Sequence, residues 1–444
     1  MKGLRTLAVL VVVLGGLGAY LYYVDAEKPV GEATEEKPKV FAVQADQIEE
    51  LKVSTIAGGV AELKKSADGW HLTSPQQIRA DDSEVTGITS NLASVSIQRV
   101  VDENPSNLGD YGLREPVAEV SFKAKGAKQF TTLQIGTKTP TGSDMYAKTA
   151  DGKKVFLVFS YLESSFNRTP FDLRDKKIVA FDREKVDRIE IRRGSSLVTL
   201  SKTSGEWRMT EPVNARGDFG AIEGLISRLQ SAQMKAIVTE NPAEFSKYGI
   251  DPPAAEVTIV SGSAKTGVAF GTRTADNFIH VRDLSKSLVV TAPADLFDEI
   301  EKGVAEYRRK DLFEFRAFNL DRLEITRGTS TLTFERLRGK GKDGADAWQN
   351  AATKKVLDAA KVEAFLTRLS GTRAQSFADE KTKTGLDAPA VTVKATFDEG
   401  KKTEVVTIGR VGAEVFAGRP DEPGAAKLDA TDFDETLKAL DEFK

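Results

Sequence analysis

Apolar residues follow the same two spacings in three successive parts of the chain. A spacing of three or four residues predicts a helix with one buried face, and it occurs in the sets Val85, Ile88, Leu92, Val95; Ile222, Leu225, Ile226, Leu229; and Val362, Phe365, Leu366, Leu369. Alternation predicts a strand with one buried face, and it follows in Ala118, Val120, Phe122; Ala255, Val257, Ile259; and Val391, Val393, Ala395. The pattern predicts a helix packed on a flat sheet, three times over.

The three tryptophans of the chain mark the same position in each part. Trp70, Trp207 and Trp348 recur at intervals of 137 and 141 residues, in the contexts GWHLTSP, EWRMTEP and AWQNAAT. An aspartate follows each at ten or eleven residues and is predicted to cap the helix: Asp81, Asp218 and Asp358. One tryptophan per unit, on a strand beside a helix, favours a core residue over a sugar-stacking platform.

A second motif comes later in each unit. YGLREPVAEVSF returns as YGIDPPAAEVTI and as TGLDAPAVTVKA, and in each a glycine is followed four residues later by a proline. The glycine is predicted to take a positive φ and the proline to fix the start of a strand. These residues are Gly112, Gly249 and Gly385, with Pro116, Pro253 and Pro389.

A glycine in IGTKT, FGTRT and IGRVG, at Gly136, Gly271 and Gly409, ends the next predicted strand. We interpret these as hairpin turns. A phosphate loop needs more glycine and a helix directly after it.

These elements predict an α+β fold, with an N-terminal transmembrane helix followed by three tandem repeats of a mostly antiparallel sheet with covering helices. The predicted boundaries are a signal anchor at 1–24, a charged, proline-containing tether at 25–42, and repeats at 43–180, 181–316 and 317–444.

The anchor prediction depends on residues 7–24, which carry no charge and follow Lys2 and Arg5. That length is close to the roughly 20 residues that span a bilayer. Tyrosines cluster at its far end, and the positive charges favour a cytoplasmic start. We expect a single pass through the inner membrane with the rest of the chain in the periplasm. A cleaved signal peptide is the alternative.

Composition removes several classes of function. Lys plus Arg is 63 and Asp plus Glu is 66, so the net charge of −3 argues against a nucleic-acid binder. There is no cysteine, and the two histidines, His71 and His280, lie in strand-like runs. The sequence therefore indicates no metal site, no cofactor and no catalytic residues.

Basic clusters lie near both predicted repeat junctions. They are Arg174, Lys176 and Lys177, and Arg308, Arg309 and Lys310. A solvated surface is the ordinary role of such runs, and contact with lipid headgroups or an acidic partner is the functional alternative.

The W-x-(L/M)-x-x-P strands, the ENP…YG(L/I)xxP junctions and the N-terminal anchor resemble the domain-of-unknown-function family DUF4340. The resemblance covers nearly the whole chain after the tether. It implies an envelope protein of the kind encoded beside transport components related to gliding-motility transporters, and no catalytic residues. The third unit departs from the pattern, because it lacks ENP and the proline after Trp348.

Three hypotheses of function remain open. The first is a membrane-anchored periplasmic accessory or scaffolding protein that binds an ABC-type transporter or another envelope protein. The second is a module that binds cell-wall glycan or lipid in clefts between repeats. The third is a carboxylate-based hydrolase, which needs acidic residues that converge in one cleft.

Overall fold

The computed structural model describes residues 37–56, 58–379 and 381–443. The predicted anchor and residues 25–36 of the predicted tether lie outside this range. Within it, no helix is long and apolar enough to cross a membrane. The chain divides into two compact units, one through Asp175 and one from Lys176.

Three nine-stranded sheets share one strand order, and each strand pair described is antiparallel. Counted along the chain, the strands of the first sheet lie side by side in the order fourth, third, second, first, sixth, seventh, eighth, ninth and fifth. The expectation of repeated α+β units is confirmed, since the second and third sheets repeat this order strand for strand.

The first sheet belongs to the unit that ends at Asp175. Its elements are β1 (Ile48–Thr55), β2 (Val60–Ser66), β3 (Gly69–Ser74), β4 (Ile78–Arg79), α1 (Asp82–Ser94), β5 (Arg99–Asp102), β6 (Ala118–Ala124), β7 (Thr131–Lys138), β8 (Asp144–Thr149), β9 (Val155–Phe159), α2 (Leu162–Phe166) and α3 (Pro170–Leu173).

The second sheet lies in the unit that begins at Lys176. Its elements are β10 (Val186–Arg193), β11 (Ser196–Thr203), β12 (Glu206–Glu211), β13 (Ala215–Arg216), α4 (Phe219–Ser231), β14 (Ala236–Thr239), β15 (Ala255–Ser261), β16 (Ala264–Arg273), β17 (Phe278–Asp283), β18 (Val289–Pro293), α5 (Asp295–Glu301) and α6 (Val304–Tyr307).

The third sheet follows in the same unit. Its elements are β19 (Leu320–Arg327), β20 (Ser330–Leu337), β21 (Ala347–Asn350), β22 (Val356–Leu357), α7 (Ala359–Ser370), β23 (Ser376–Ala378), β24 (Val391–Phe397), β25 (Lys402–Val411), β26 (Glu414–Arg419), β27 (Glu422–Leu428) and α8 (Ala430–Asp441). This repeat ends in the single helix α8, where each of the other two has two short helices. The second short helix begins at Pro170 in the first repeat and directly after Gly303 in the second, whereas α8 contains neither proline nor glycine.

The helix that follows the fourth strand of each repeat, α1, α4 or α7, starts and packs as its sequence predicts. The carboxylates of Asp81, Asp218 and Asp358 accept hydrogen bonds from backbone N–H groups of the first turn. The apolar stripes of α1, α4 and α7 are buried. Each stripe covers one face of its sheet, which forms the core of the repeat.

A short lead-in segment precedes each sheet and pairs with the chain just after the long helix. The bridged residues are Lys39 with Ser96, Lys177 with Gln233, and Asp311 with Arg373. In the first repeat this segment includes residues 37–42, which the sequence analysis assigns to the tether. Phe41 is buried there, with its ring centroid 5.0 Å from that of Phe122.

Candidate functional site

The three tryptophans lie on the third strand of each sheet and are at most 5% exposed. The indole N–H of Trp207 donates to Glu223 at 3.0 Å, and the guanidinium of Arg336 lies 4.7 Å from the ring centroid of Trp348. These are environments of core residues. No glycan could stack on these rings without opening the sheet–helix layer.

The repeated glycine and proline motif docks one segment onto a strand. Gly112, Gly249 and Gly385 have φ of 66°, 67° and 70°, as predicted, and each lies six residues before the next strand. Gly112 and Gly249 end short 3-10 helices. In the second repeat the turn presses the carbonyl of Tyr248 against Gly271, where an added Cβ would lie 2.0 Å from that oxygen.

The interpretation of the IGTKT, FGTRT and IGRVG glycines as hairpin turns was wrong. Gly136, Gly271 and Gly409 lie inside β7, β16 and β25. In all three, a Cβ would collide with a carbonyl oxygen of the preceding turn, at 2.1, 2.0 and 2.4 Å. The glycine is required by close backbone approach within the sheet.

The two basic clusters do not form uniform surfaces. Arg174 and Arg308 are buried, while Lys176 is half-buried and Lys177 is exposed. Arg309 and Lys310 make ion pairs with neighbouring carboxylates at 3.9 and 3.0 Å. A role in partner contact stays a prediction for these six residues, and burial of two guanidinium groups points to a different role for Arg174 and Arg308.

A buried charge cluster joins the second and third repeats, which belong to one unit. It consists of Arg216, Arg308, Glu314, Glu404, Arg419 and Glu422. The side chains of Arg216, Arg308, Arg419 and Glu422 are only 5–8% exposed. Three arginines face three glutamates, so the cluster as a whole is neutral.

Glu422 lies at the centre of this cluster. Its carboxylate accepts a short hydrogen bond from Arg216 Nε, and it lies 3.5 Å from Arg308 Nη2 and 3.9 Å from Arg419 Nε. Arg216 ends β13 in the second repeat, whereas Glu422 begins β27 in the third. The ion pair therefore crosses the junction between repeats.

Arg308 is held in the cluster by more than charge. Its guanidinium lies 4.0 Å from the ring centroid of Phe377 and donates to the carbonyl of Pro423 at 2.9 Å. Burial lowers the pKa of Arg308, and the adjacent Glu422 carboxylate opposes that shift.

Glu404 and Arg419 complete the cluster on the third repeat. Glu404 accepts hydrogen bonds from the backbone N–H groups of Glu314 at 3.0 Å and Phe315 at 2.9 Å, and from Arg419 at 2.6 Å. Burial alone would lower the pKa of Arg419, but its bonds to Glu404 and Asp421 outweigh this and raise it. The lead-in segment of the third repeat is thus fixed to β25.

The space beside the cluster is about 20 Å³. That is enough for about one water molecule and too small for an organic ligand. The cluster therefore has no room for an organic substrate, and its role is to hold the junction between the two repeats together.

The spacing of charged residues along the chain does not reveal this cluster, although one strand carries a signal of it. Along β25, Glu404, Val406 and Ile408 occupy the same buried face. A glutamate in an inward position of an alternating strand calls for a buried cationic partner. The partners Arg216 and Arg308 lie too far away in the sequence to be found from spacing.

The two histidines lie on strands, as predicted, and their partners lie on the neighbouring strand or in the adjoining turn. His280 Nδ1 lies 2.9 Å from the carbonyl oxygen of Thr272. His71 Nδ1 lies 2.9 Å from Ser66 Oγ, and His71 Nε2 lies 3.5 Å from Asp68.

The serine, aspartate and histidine of this last group resemble a triad in composition only. All three belong to the β2–β3 hairpin, and the Ser66 hydroxyl bonds directly to Asp68 at 2.8 Å, which lowers the pKa of that carboxyl. A nucleophilic site requires donors placed for an oxyanion beside the serine. The group is a hydrogen-bonded hairpin turn.

An open groove of about 470 Å³ runs between α7 and α8 of the third repeat. Charged side chains dominate its lining, and ion pairs join Arg368 to Glu435 at 2.8 Å and Lys361 to Glu442 at 3.4 Å. Among the described ranges, no group of three or more His, Asp or Glu side chains is placed to hold a metal ion.

The sequence of the repeats matches a family model. A family model described as a domain of unknown function, DUF4340, matches residues 70–206 and 207–389. The chain belongs to the DUF4340 family. Comparisons with curated proteins and with solved structures gave no match.

Both DUF4340 matches begin at a tryptophan. The first runs from β3 of the first sheet to the end of the β10–β11 hairpin of the second. The second runs from Trp207 to Pro389, just before β24 of the third sheet, so the bounds of the matches do not coincide with those of the sheets.

Proposed function

We propose that this DUF4340 chain is a scaffold of the cell envelope. It is anchored in the inner membrane by residues 7–24 and presents its repeats in the periplasm to a membrane partner such as an ABC-type transporter. The buried junction between the second and third repeats carries the proposal, because a scaffold must hold its modules in a fixed arrangement. A neutral cluster of buried ion pairs imposes such an arrangement, since Arg216 and Arg308 of the second repeat have their partner Glu422 on the third.

Two observations count against the other hypotheses. All three tryptophans are buried, so none of them can line a glycan groove. Among the described residues, the carboxyl groups with clearly shifted pKa values move downward, as at Asp82, Asp283 and Asp321. A general acid for hydrolysis needs the opposite shift.

Location is tested with a cysteine label, because the chain has no cysteine of its own. Phe318 is 79% exposed, so a Phe318→Cys variant offers a reactive thiol at little structural cost. A membrane-impermeant maleimide added to cells with a permeabilised outer membrane should label it. Labelling only after lysis of the inner membrane would refute the periplasmic location.

Partner binding is tested by purification of the full chain in mild detergent. We expect an envelope protein to co-purify with the unchanged chain and with Glu435→Gln, which loses only an exposed ion pair. The Glu422→Gln variant should lose the partner, because its repeats are no longer held in one arrangement. Equal recovery with both variants would contradict the role of the junction.

A further inference from the structure

An exposed pair of aromatic rings lies where the described chain begins. Phe159 ends β9 and Tyr161 follows it, with exposures of 44% and 56%. Their rings are stacked, with centroids 5.9 Å apart and an interplanar angle of 26°. Single exposed apolar side chains are ordinary on protein surfaces, so the arrangement around this pair decides its meaning.

The lead-in segment of the first repeat ends beside these rings. The N–H of Ile97 donates to the carbonyl of Pro38 at 2.9 Å, which fixes the start of the segment. Lys37 Nζ then lies 5.6 Å from the centroid of the Phe159 ring. We name Lys37, Phe159 and Tyr161 the aromatic corner.

The corner is rigidly supported from below. Leu162 and Phe166 of α2 are fully buried, and Ser164 Oγ donates to the carbonyl of Tyr161 at 2.8 Å. The rings are therefore held outward by a helix that cannot turn without exposing its own apolar side chains.

From these contacts we propose that the aromatic corner docks on the bilayer surface. The inference rests on the proposed membrane anchor. Thirteen peptide steps join Val24 to Lys37, so the corner lies within about 45 Å of the end of the apolar run. Among the described residues of the first unit, Lys37 of this corner is the closest in sequence to the apolar run.

The chemistry of the corner fits lipid headgroups. Aromatic rings with a polar tip favour the boundary between headgroups and acyl chains, and Tyr161 is such a residue with more than half of its surface exposed. A lysine near an anionic surface adds electrostatic attraction. Lys37 supplies that charge directly over the Phe159 ring.

Phe130 offers a matched control within the same unit. It is 46% exposed and lies under Lys123, whose Nζ is 5.8 Å from the ring centroid. Phe130 immediately precedes β7, whereas Phe159 pairs with Asp144 just beyond the other end of that strand. The two phenylalanines are therefore separated by about 25 Å along the strand direction.

The test uses the full chain in vesicles of zwitterionic and anionic phospholipid. Phe159→Cys and Phe130→Cys variants are each labelled with the same fluorophore, and lipids with a spin label near the headgroup act as quenchers. We expect quenching at position 159 to be at least twofold stronger than at position 130.

Vesicle binding is checked by flotation of the chain with the vesicles in a density gradient. If the chain floats with the vesicles but quenching is equal at both positions, the docking proposal is refuted while the proposed membrane anchor stands. Chains that do not float with the vesicles would overturn the anchor and the docking proposal together. Circular dichroism of both labelled variants verifies that the exposed substitutions preserve the fold.

Discussion

Neutralising Glu422 should loosen the junction between the second and third repeats. The carboxylate faces three guanidinium groups that are less than a tenth exposed. Removing one partner of a buried ion pair costs about 3–5 kcal/mol, and the amide oxygen of Glu422→Gln recovers one hydrogen bond worth about 0.5–1.5 kcal/mol. We expect a loss of about 2–4 kcal/mol in the free energy of unfolding.

Urea unfolding followed by tryptophan fluorescence measures this loss. A Trp70→Phe background limits the signal to Trp207 and Trp348, which lie in the two repeats that the cluster joins. The control is Glu435→Gln, whose partner Arg368 is about half exposed, so its loss should stay below about 1 kcal/mol.

A second substitution separates charge from packing. Arg308→Met removes one of the three positive charges and can keep an apolar contact with Phe377. The double variant with Glu422→Gln should therefore be more stable than Glu422→Gln alone by about 1 kcal/mol or more, since the cluster is neutral again. If Glu422→Gln unfolds at the same urea concentration as Glu435→Gln, the cluster does not hold the junction.

Three further predictions concern single positions, each measured by urea unfolding. Gly271→Ala should lower the free energy of unfolding by about 1–3 kcal/mol, because its Cβ would collide with the carbonyl of Tyr248. In α4, the Cβ of Gly224→Ala meets no atom within 4 Å, so this substitution should raise the free energy of unfolding by about 0.4–1 kcal/mol. A change of the same sign for both variants would refute the steric explanation. Asp218→Ala should cost about 0.5–2 kcal/mol through loss of the α4 cap, and an unchanged midpoint would contradict it. Burial would raise the pKa of Asp283, but hydrogen bonds to its carboxylate hold it below its usual value. The stabilisation is therefore complete above about pH 4, near the unfolded pKa, and is lost as pH falls through the folded pKa, so the deficit of Asp283→Asn should shrink on acidification; a deficit independent of pH would refute this.

Hydrophobic spacing was sufficient to predict the repeated unit. The helix stripes, the capping aspartates and the positive φ of Gly112, Gly249 and Gly385 follow from local physics, because each depends on neighbours within a few residues. The hairpin interpretation of Gly136, Gly271 and Gly409 failed for the opposite reason. Each of those glycines is required because a carbonyl oxygen more than twenty residues away in the sequence packs against it, and a local sequence pattern cannot predict such a contact.

The sequence by itself determined that one α+β unit occurs three times and that an uncharged run precedes it. Only the tertiary structure decided which charges are buried and which rings are exposed. Arg216 and Glu422 are 206 residues apart and meet because two copies of the sheet pack at one junction. Phe159 and Lys37 meet because the lead-in segment pairs beside β5 and β9. Such contacts depend on how strands are ordered in space, and hydrophobic periodicity carries no information about that order.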